Sequence, residues 1–167
     1  MPPLESKREQ ISAELQRRLA SIDAEVDGGA RYWYTPTHVL RVDELDVKHL
    51  RSQHEVIYQV MPGDGFPDER TTGSFQNQME VFVLAARRWQ PNTQDPYGIQ
   101  PPIRETIQNR LLRDIKVCLY DDVTLGGLAI NTEIRDENLN IQIQDSFPWA
   151  VVEARIVVTY EHAKEAP

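Results

Sequence analysis

Two stretches of this sequence repeat their apolar residues every three or four positions, while most of the remainder repeats them every second position. No other feature restricts the fold so strongly, because the two periods belong to helices and strands respectively. In LESKREQISAELQRRLASIDAEV the apolar positions Ile11, Leu15, Leu19, Ile22 and Val26 are spaced by 4, 4, 3 and 4 residues, with Leu4 just upstream. One face of a helix collects them. Ser6 followed by Glu9 has the spacing of a capping box, and Arg17 and Arg18 sit near the far end, where the helix dipole favours cations. Asp27-Gly28-Gly29 stops the helix. The second stripe follows Pro101-Pro102. It consists of Ile103, Ile107, Leu111, Ile115 and Leu119, widened by Leu112 and Cys118, and the helix is expected to end near Tyr120.

Between the stripes, RYWYTPTHVLRV (31–42), HEVIYQVM (54–61) and SFQNQMEVFVLAARRW (74–89) read as strands. Pro36 cannot donate a ladder hydrogen bond, so the first is an edge strand or is interrupted there. In the third, Phe75, Met79, Val81 and Val83 lie opposite Gln76, Gln78 and Glu80. After the second helix, Leu128, Ile130, Thr132 and Ile134 alternate with Ala129, Asn131 and Glu133. RDEN (135–138) reads as a turn or bulge, after which Leu139, Ile141 and Ile143 resume the period. SFPWA then leads into VVEARIVVTYEH, whose Val152, Ala154, Ile156, Val158 and Tyr160 face a core opposite Glu153, Arg155 and Thr159. The order is α-β-β-β-α-β-β, joined mostly by turns instead of crossover helices. The expected fold class is α+β: a mainly antiparallel sheet with two helices packed on one face. Residues 1–167 form one expected domain, with long loops at 62–73 and 89–102, where Gly and Pro accumulate.

Charge narrows the function. The chain has 26 acidic and 18 basic residues, a net −8, which argues against a broad phosphate-binding face and hence against sequence-specific nucleic-acid binding. The same balance favours solubility or a partner with basic patches. The single cysteine, Cys118, excludes an intramolecular disulfide and reads as a buried member of the second helical stripe. MPPLESKREQ has no apolar run of a signal peptide, and no segment approaches the roughly 20 apolar residues of a membrane span. A soluble protein of a reducing compartment, with no membrane partner, is expected.

The stretch DDVTLGGLAI (121–130) carries the main chemical question. Asp121 and Asp122, with Asp114 upstream, are candidate ligands for Mg²⁺ or Ca²⁺, which take oxygen donors. On that alternative the chain is a small metal-dependent hydrolase. The preferred reading is a helix end, a turn, and a Gly126-Gly127 pair supplying unusual backbone angles before a strand. A phosphate loop is excluded, because no Lys-Ser or Lys-Thr follows the glycines and they close a helix instead of opening one. Gly63-Asp64-Gly65 with Asp68 and Glu69 lacks the spacing of an EF-hand and reads as a turn. His38, His49, His54 and His162 form no short ligand pair, and no serine sits in a G-x-S-x-G elbow. No catalytic residue, metal or cofactor is therefore assigned. Tyr32, Trp33 and Tyr34 read as core or strand surface. Trp89, Pro91 and Tyr97, around the Pro-rich loop, are candidate contacts with other subunits or partners, as are Asp121 and Asp122.

Taken in order, REQISAELQRRLASI, the Tyr-rich strand with VLRV, the helix that runs into D-x-T-L-G-G within IRETIQNRLLRDIKVCLYDDVTLGGLA, and the closing RIVVTYEHAKEAP resemble the tail terminator proteins of long-tailed bacteriophages. These are also called minor tail or tail-completion proteins. The resemblance covers most of the chain, apart from 62–73 and 89–102. It implies a non-enzymatic virion protein of the tail or neck, assembled in the bacterial cytoplasm. Such proteins form a six-membered ring of identical subunits on the head-proximal end of the tail tube. The ring ends tube polymerisation and faces a head-tail connector or stopper protein. The implied partners are thus further copies of the chain, the tail tube protein and the head-tail connector or stopper protein; the alternative is that the chain is itself another neck or connector component.

Overall fold

A computed structural model describes residues 6–43, 56–68, 74–89, 104–139 and 149–163. Helix α1 spans Lys7–Ala20 and helix α2 Arg104–Tyr120. The strands are β1 (His38–Arg41), β2 (Val56–Asp68), β3 (Ser74–Arg88), β4 (Asn131–Asn138) and β5 (Trp149–Ala163). They form one sheet in the order β1-β2-β3-β5-β4. Of the four pairings among the described residues, only β1 with β2 is parallel. The fold is α+β in the order the periodicities predict.

Each helix forms for the reasons visible in its sequence. The Ser6 hydroxyl accepts the Glu9 amide at 3.2 Å, half of a capping box. The Glu9 carboxylate turns instead to Arg41 at the end of β1. Ile11, Leu15 and Leu19 are buried on α1, and Ile107, Leu111, Ile115, Cys118 and Leu119 on α2. Both stripes pack on the same sheet face, against Val56, Tyr58 and Val60 of β2, Met79, Val81, Val83 and Ala85 of β3, and Val152, Ala154, Ile156, Val158 and Tyr160 of β5. Val26 falls off the expected α1 stripe: it starts a 3-10 turn, Val26–Gly29, and is exposed. On the opposite sheet face, Ile57, Leu84, Ala86, Trp149 and Val151 form a smaller buried cluster.

Three local expectations are corrected. The segment 31–37 is not strand, and β1 begins only at His38, beyond Pro36. The amides of Trp33 and Tyr34 bond to the Asp114 carboxylate on α2 instead of entering a ladder. The expected loop at 62–73 is strand as far as Asp68, with a register shift between Pro62 and Gly65; residues 69–73 lie outside the described part. Proline is tolerated there because, among the described residues, β1 pairs no further than Val60 and β2 has β3 as its one neighbour beyond it. Gly63 is required by close approach: a Cβ there would lie 3.0 Å from both Glu80 Cβ and Phe82 Cε2. Gly63-Asp64-Gly65, expected as a turn, lies within this strand. Finally, strand β4 starts at Asn131, and Ile130 is exposed. RDEN lies within β4 as a bulge between Ile134 and Asp136. The expected loop at 89–102 lies outside the described residues except for Trp89, as do Ile103, Ile141 and Ile143.

Candidate functional site

The DDVTLGG corner is held together by one side chain. Helix α2 ends at Tyr120, and Asp122 then accepts from the Thr124 hydroxyl (2.6 Å), the Thr124 amide (3.0 Å) and the Gly126 amide (2.8 Å). Arg18 of α1 donates to the Asp122 carboxylate at 2.9 Å and to its backbone carbonyl at 3.1 Å. The Thr124 hydroxyl, then Arg18 and the two amides, hold the Asp122 carboxyl well below the usual carboxylate range. Leu125, Gly126 and Gly127 follow with φ of 50°, 69° and 88°, three successive left-handed residues. The reversal drives the Leu125 side chain into the core. It also sends the chain toward β4, where the Ile130 amide reaches Thr159 of β5 at 2.7 Å.

Asp114 faces inward on α2 and is fully buried. Its carboxylate accepts the Trp33 amide at 2.9 and 3.1 Å and the Tyr34 amide at 2.9 Å. Burial pushes its carboxyl up to about 6, against the downward pull of these amides and of Arg113. Asp121 is exposed and pairs with Arg31 at 2.9 Å. The three aspartates proposed as metal ligands therefore have three separate roles: a buried backbone acceptor, a surface ion pair and a turn cap. Among the described residues no three His, Cys, Asp or Glu side chains are grouped to hold a metal ion. Asp121 and Asp122 do share an open cleft of about 420 Å³ with Arg17, Arg18, Arg31, Tyr32 and Cys118. Its arginines are engaged with carboxylates: Arg17 and Arg18 with Glu14, Arg18 also with Asp122, and Arg31 with Asp121.

The Cys118 thiol is buried, lies 3.3 Å from the Arg18 carbonyl, and is pushed up to about 11, chiefly by burial. A thiol so protonated is a poor nucleophile. Of the predicted contact residues, Trp89 is partly buried against the core, with Arg104 4.8 Å from its ring centre. Pro91 and Tyr97 lie outside the described residues. Tyr32 and Tyr34 are core residues and Trp33 is partly buried, held by Asp114 instead of by a sheet.

Sequence reasoning missed two things here. Asp114 as a backbone anchor had one available signal, a carboxylate between the stripe residues Leu111 and Ile115. The gathering of Arg31, Arg87, Arg110 and Arg113 around Tyr32–Tyr34 had none, since these residues are scattered along the chain. No protein-family model matches the chain, and no curated protein is significantly similar to it in sequence. Among the described residues no helix is long and apolar enough to cross a membrane.

Proposed function

We propose that this chain is a structural assembly protein of a long-tailed phage, a ring-forming tail terminator that caps the head-proximal end of the tail tube. The observation that carries this reading is the bonding of Asp114, Asp121 and Asp122. Each carboxylate is taken up by protein donors that fix the backbone or join elements, so the D-x-T-L-G-G motif acts as a scaffold corner. The α+β order agrees with the resemblance drawn from the sequence. In this role identical subunits join head to tail, and a rotation that closes gives a ring instead of a filament. The surfaces of the ring meet the tube protein on one side and the connector on the other, and no reaction is catalysed.

The test adds the purified protein to tail tube protein of the same virion while tubes polymerise. Electron microscopy should find growth arrested and a ring of uniform diameter on one end of each tube. Unchanged tube growth with bare ends would overturn the reading.

A further inference from the structure

Aspartate is followed by glycine twice in this chain, at Asp27-Gly28 and at Asp64-Gly65, and the fold treats the two pairs in opposite ways. Asp64-Gly65 lies inside β2, where Gly65 is paired with Met79 of β3. Asp27-Gly28 lies in the short 3-10 turn after α1, and residues 25–30 are all exposed. Within that turn the backbone is not helical: Asp27 has φ 54° and ψ 36°, and Gly28 has φ 67° and ψ 24°. A left-handed φ is disfavoured for a residue with a side chain, and 3-10 hydrogen bonds have poorer geometry than those of a sheet ladder. A Cβ added at Gly28 would meet nothing within 4 Å, so among the described residues no packing confines the turn there.

An aspartate followed by glycine can close on itself. The glycine nitrogen bonds to the aspartate Cγ, the Cγ–OH bond breaks, and the amide proton leaves with the hydroxyl as one water. Water then opens the cyclic imide at either carbonyl. Attack at Cγ restores aspartate. Attack at the main-chain carbonyl leaves the chain running through Cβ and Cγ, with the former main-chain carbon as the new carboxylate. Nothing is oxidised or reduced, and the product has the mass of the starting chain. Glycine favours the first step because no Cβ obstructs the attacking nitrogen. The step also requires rotation about ψ of the aspartate, which a sheet ladder resists and an exposed turn permits.

We propose that Asp27-Gly28 is a site of spontaneous isomerisation to isoaspartate in the folded protein, and that Asp64-Gly65 is protected by its place in the sheet. The modification lengthens the backbone by one atom and moves a negative charge without removing it. The surrounding anchors stay in place: Ile22 is buried, the Ala24 amide donates to the Thr35 hydroxyl at 2.8 Å, and the Trp33 amide donates to Asp114 at 2.9 Å. The turn between these points absorbs the extra atom at the surface, so the modified chain keeps its fold. The proposal is independent of the ring reading.

The test incubates the full chain at neutral pH, native and in urea, and follows both sites over time. Fragmentation mass spectrometry locates isoaspartate, and an isoaspartate methyltransferase with a labelled methyl donor counts it. In the native protein isoaspartate should accumulate about tenfold or more faster at Asp27 than at Asp64, and in urea the two rates should converge. Asp27→Glu should abolish the signal at residue 27, because closure there would need a larger ring, and Gly28→Ala should slow it. Both positions are exposed, and the comparison of the two sites within the unaltered protein decides the matter even if a variant fails to fold. Native Asp64 reacting as fast as Asp27 would overturn the proposal. So would a native Asp27 that stays unmodified while both sites react in urea.

Discussion

Arg18 and Asp122, 104 residues apart in sequence, are joined by two hydrogen bonds, one to the carboxylate at 2.9 Å and one to the backbone carbonyl at 3.1 Å. Through this pair the end of α1 holds the corner at which the chain leaves α2 for the second half of the sheet. Arg18→Ala and Asp122→Ala should each lower the thermal midpoint, and the double variant should lose less than the sum, because both remove one shared contact. Asp121→Ala, which breaks only an exposed ion pair, should cost much less. Strictly additive losses, measured by calorimetry, would refute the coupling.

The left-handed corner separates packing from backbone strain. Leu125→Ala should cost about 2 to 4 kcal/mol, since the side chain is 1% exposed and nothing else fills its place. Gly127→Ala should cost about 1 to 2 kcal/mol from backbone conformation alone, because no atom lies within 4 Å of the added Cβ. Urea denaturation that reversed this order would refute the account.

Asp114 imposes a pH dependence of unusual sign. Its folded carboxyl is raised to about 6, so the native state holds this proton more tightly than the unfolded chain does. The associated stability is fully present below about pH 4 and is lost as pH rises through 6, an effect of up to about 3 kcal/mol. Glu14 acts oppositely: Arg17 and then Arg18 hold it down to about 2, so its contribution is lost as pH falls below about 4.5. Stability of the wild type should therefore decline between pH 4.5 and 7, and Asp114→Asn should flatten that decline. Parallel curves for the two proteins in denaturant titrations would sink the assignment.

Tyr58 is fully buried, and among the described residues its hydroxyl has no hydrogen-bond partner. Burial drives its ionisation well above the ordinary tyrosine value, so the group stays a neutral phenol. Tyr58→Phe should leave stability unchanged or raise it by about 1 kcal/mol, because the hydroxyl is desolvated without compensation. A loss of more than about 1 kcal/mol would mean that the hydroxyl has a partner after all.

If the aspartates serve only as scaffold, millimolar Mg²⁺, Mn²⁺ or Ca²⁺ should leave the thermal midpoint where it was. A ligand that binds the native state raises stability in proportion to the logarithm of its concentration over Kd. A concentration-dependent rise that Asp121→Ala or Asp122→Ala abolishes would instead support the metal-dependent hydrolase.

The sequence by itself determined the two helices, the order of helices and strands along the chain, and the core face of the main apolar stripes. These follow from local periodicity, which is matched to backbone geometry within one element: Leu111, Leu112, Ile115, Cys118 and Leu119 can share a face only in a helix, and Val152, Ala154 and Ile156 only in a strand. Tertiary structure alone decided the fate of the polar and irregular positions. Asp114 could be read as a metal ligand until the Trp33 and Tyr34 amides, some 80 residues away, were brought against it. Residues 62–68 have the composition of a loop, yet they continue β2 because β3 pairs with them and, among the described residues, no strand on the other edge calls for a proline donor. The gathering of arginines around Tyr32–Tyr34 exists only where α2, β3 and the 31–34 segment meet. Hydrogen bonds and charge pairs depend on which distant groups folding brings together, and no periodicity within a segment encodes that.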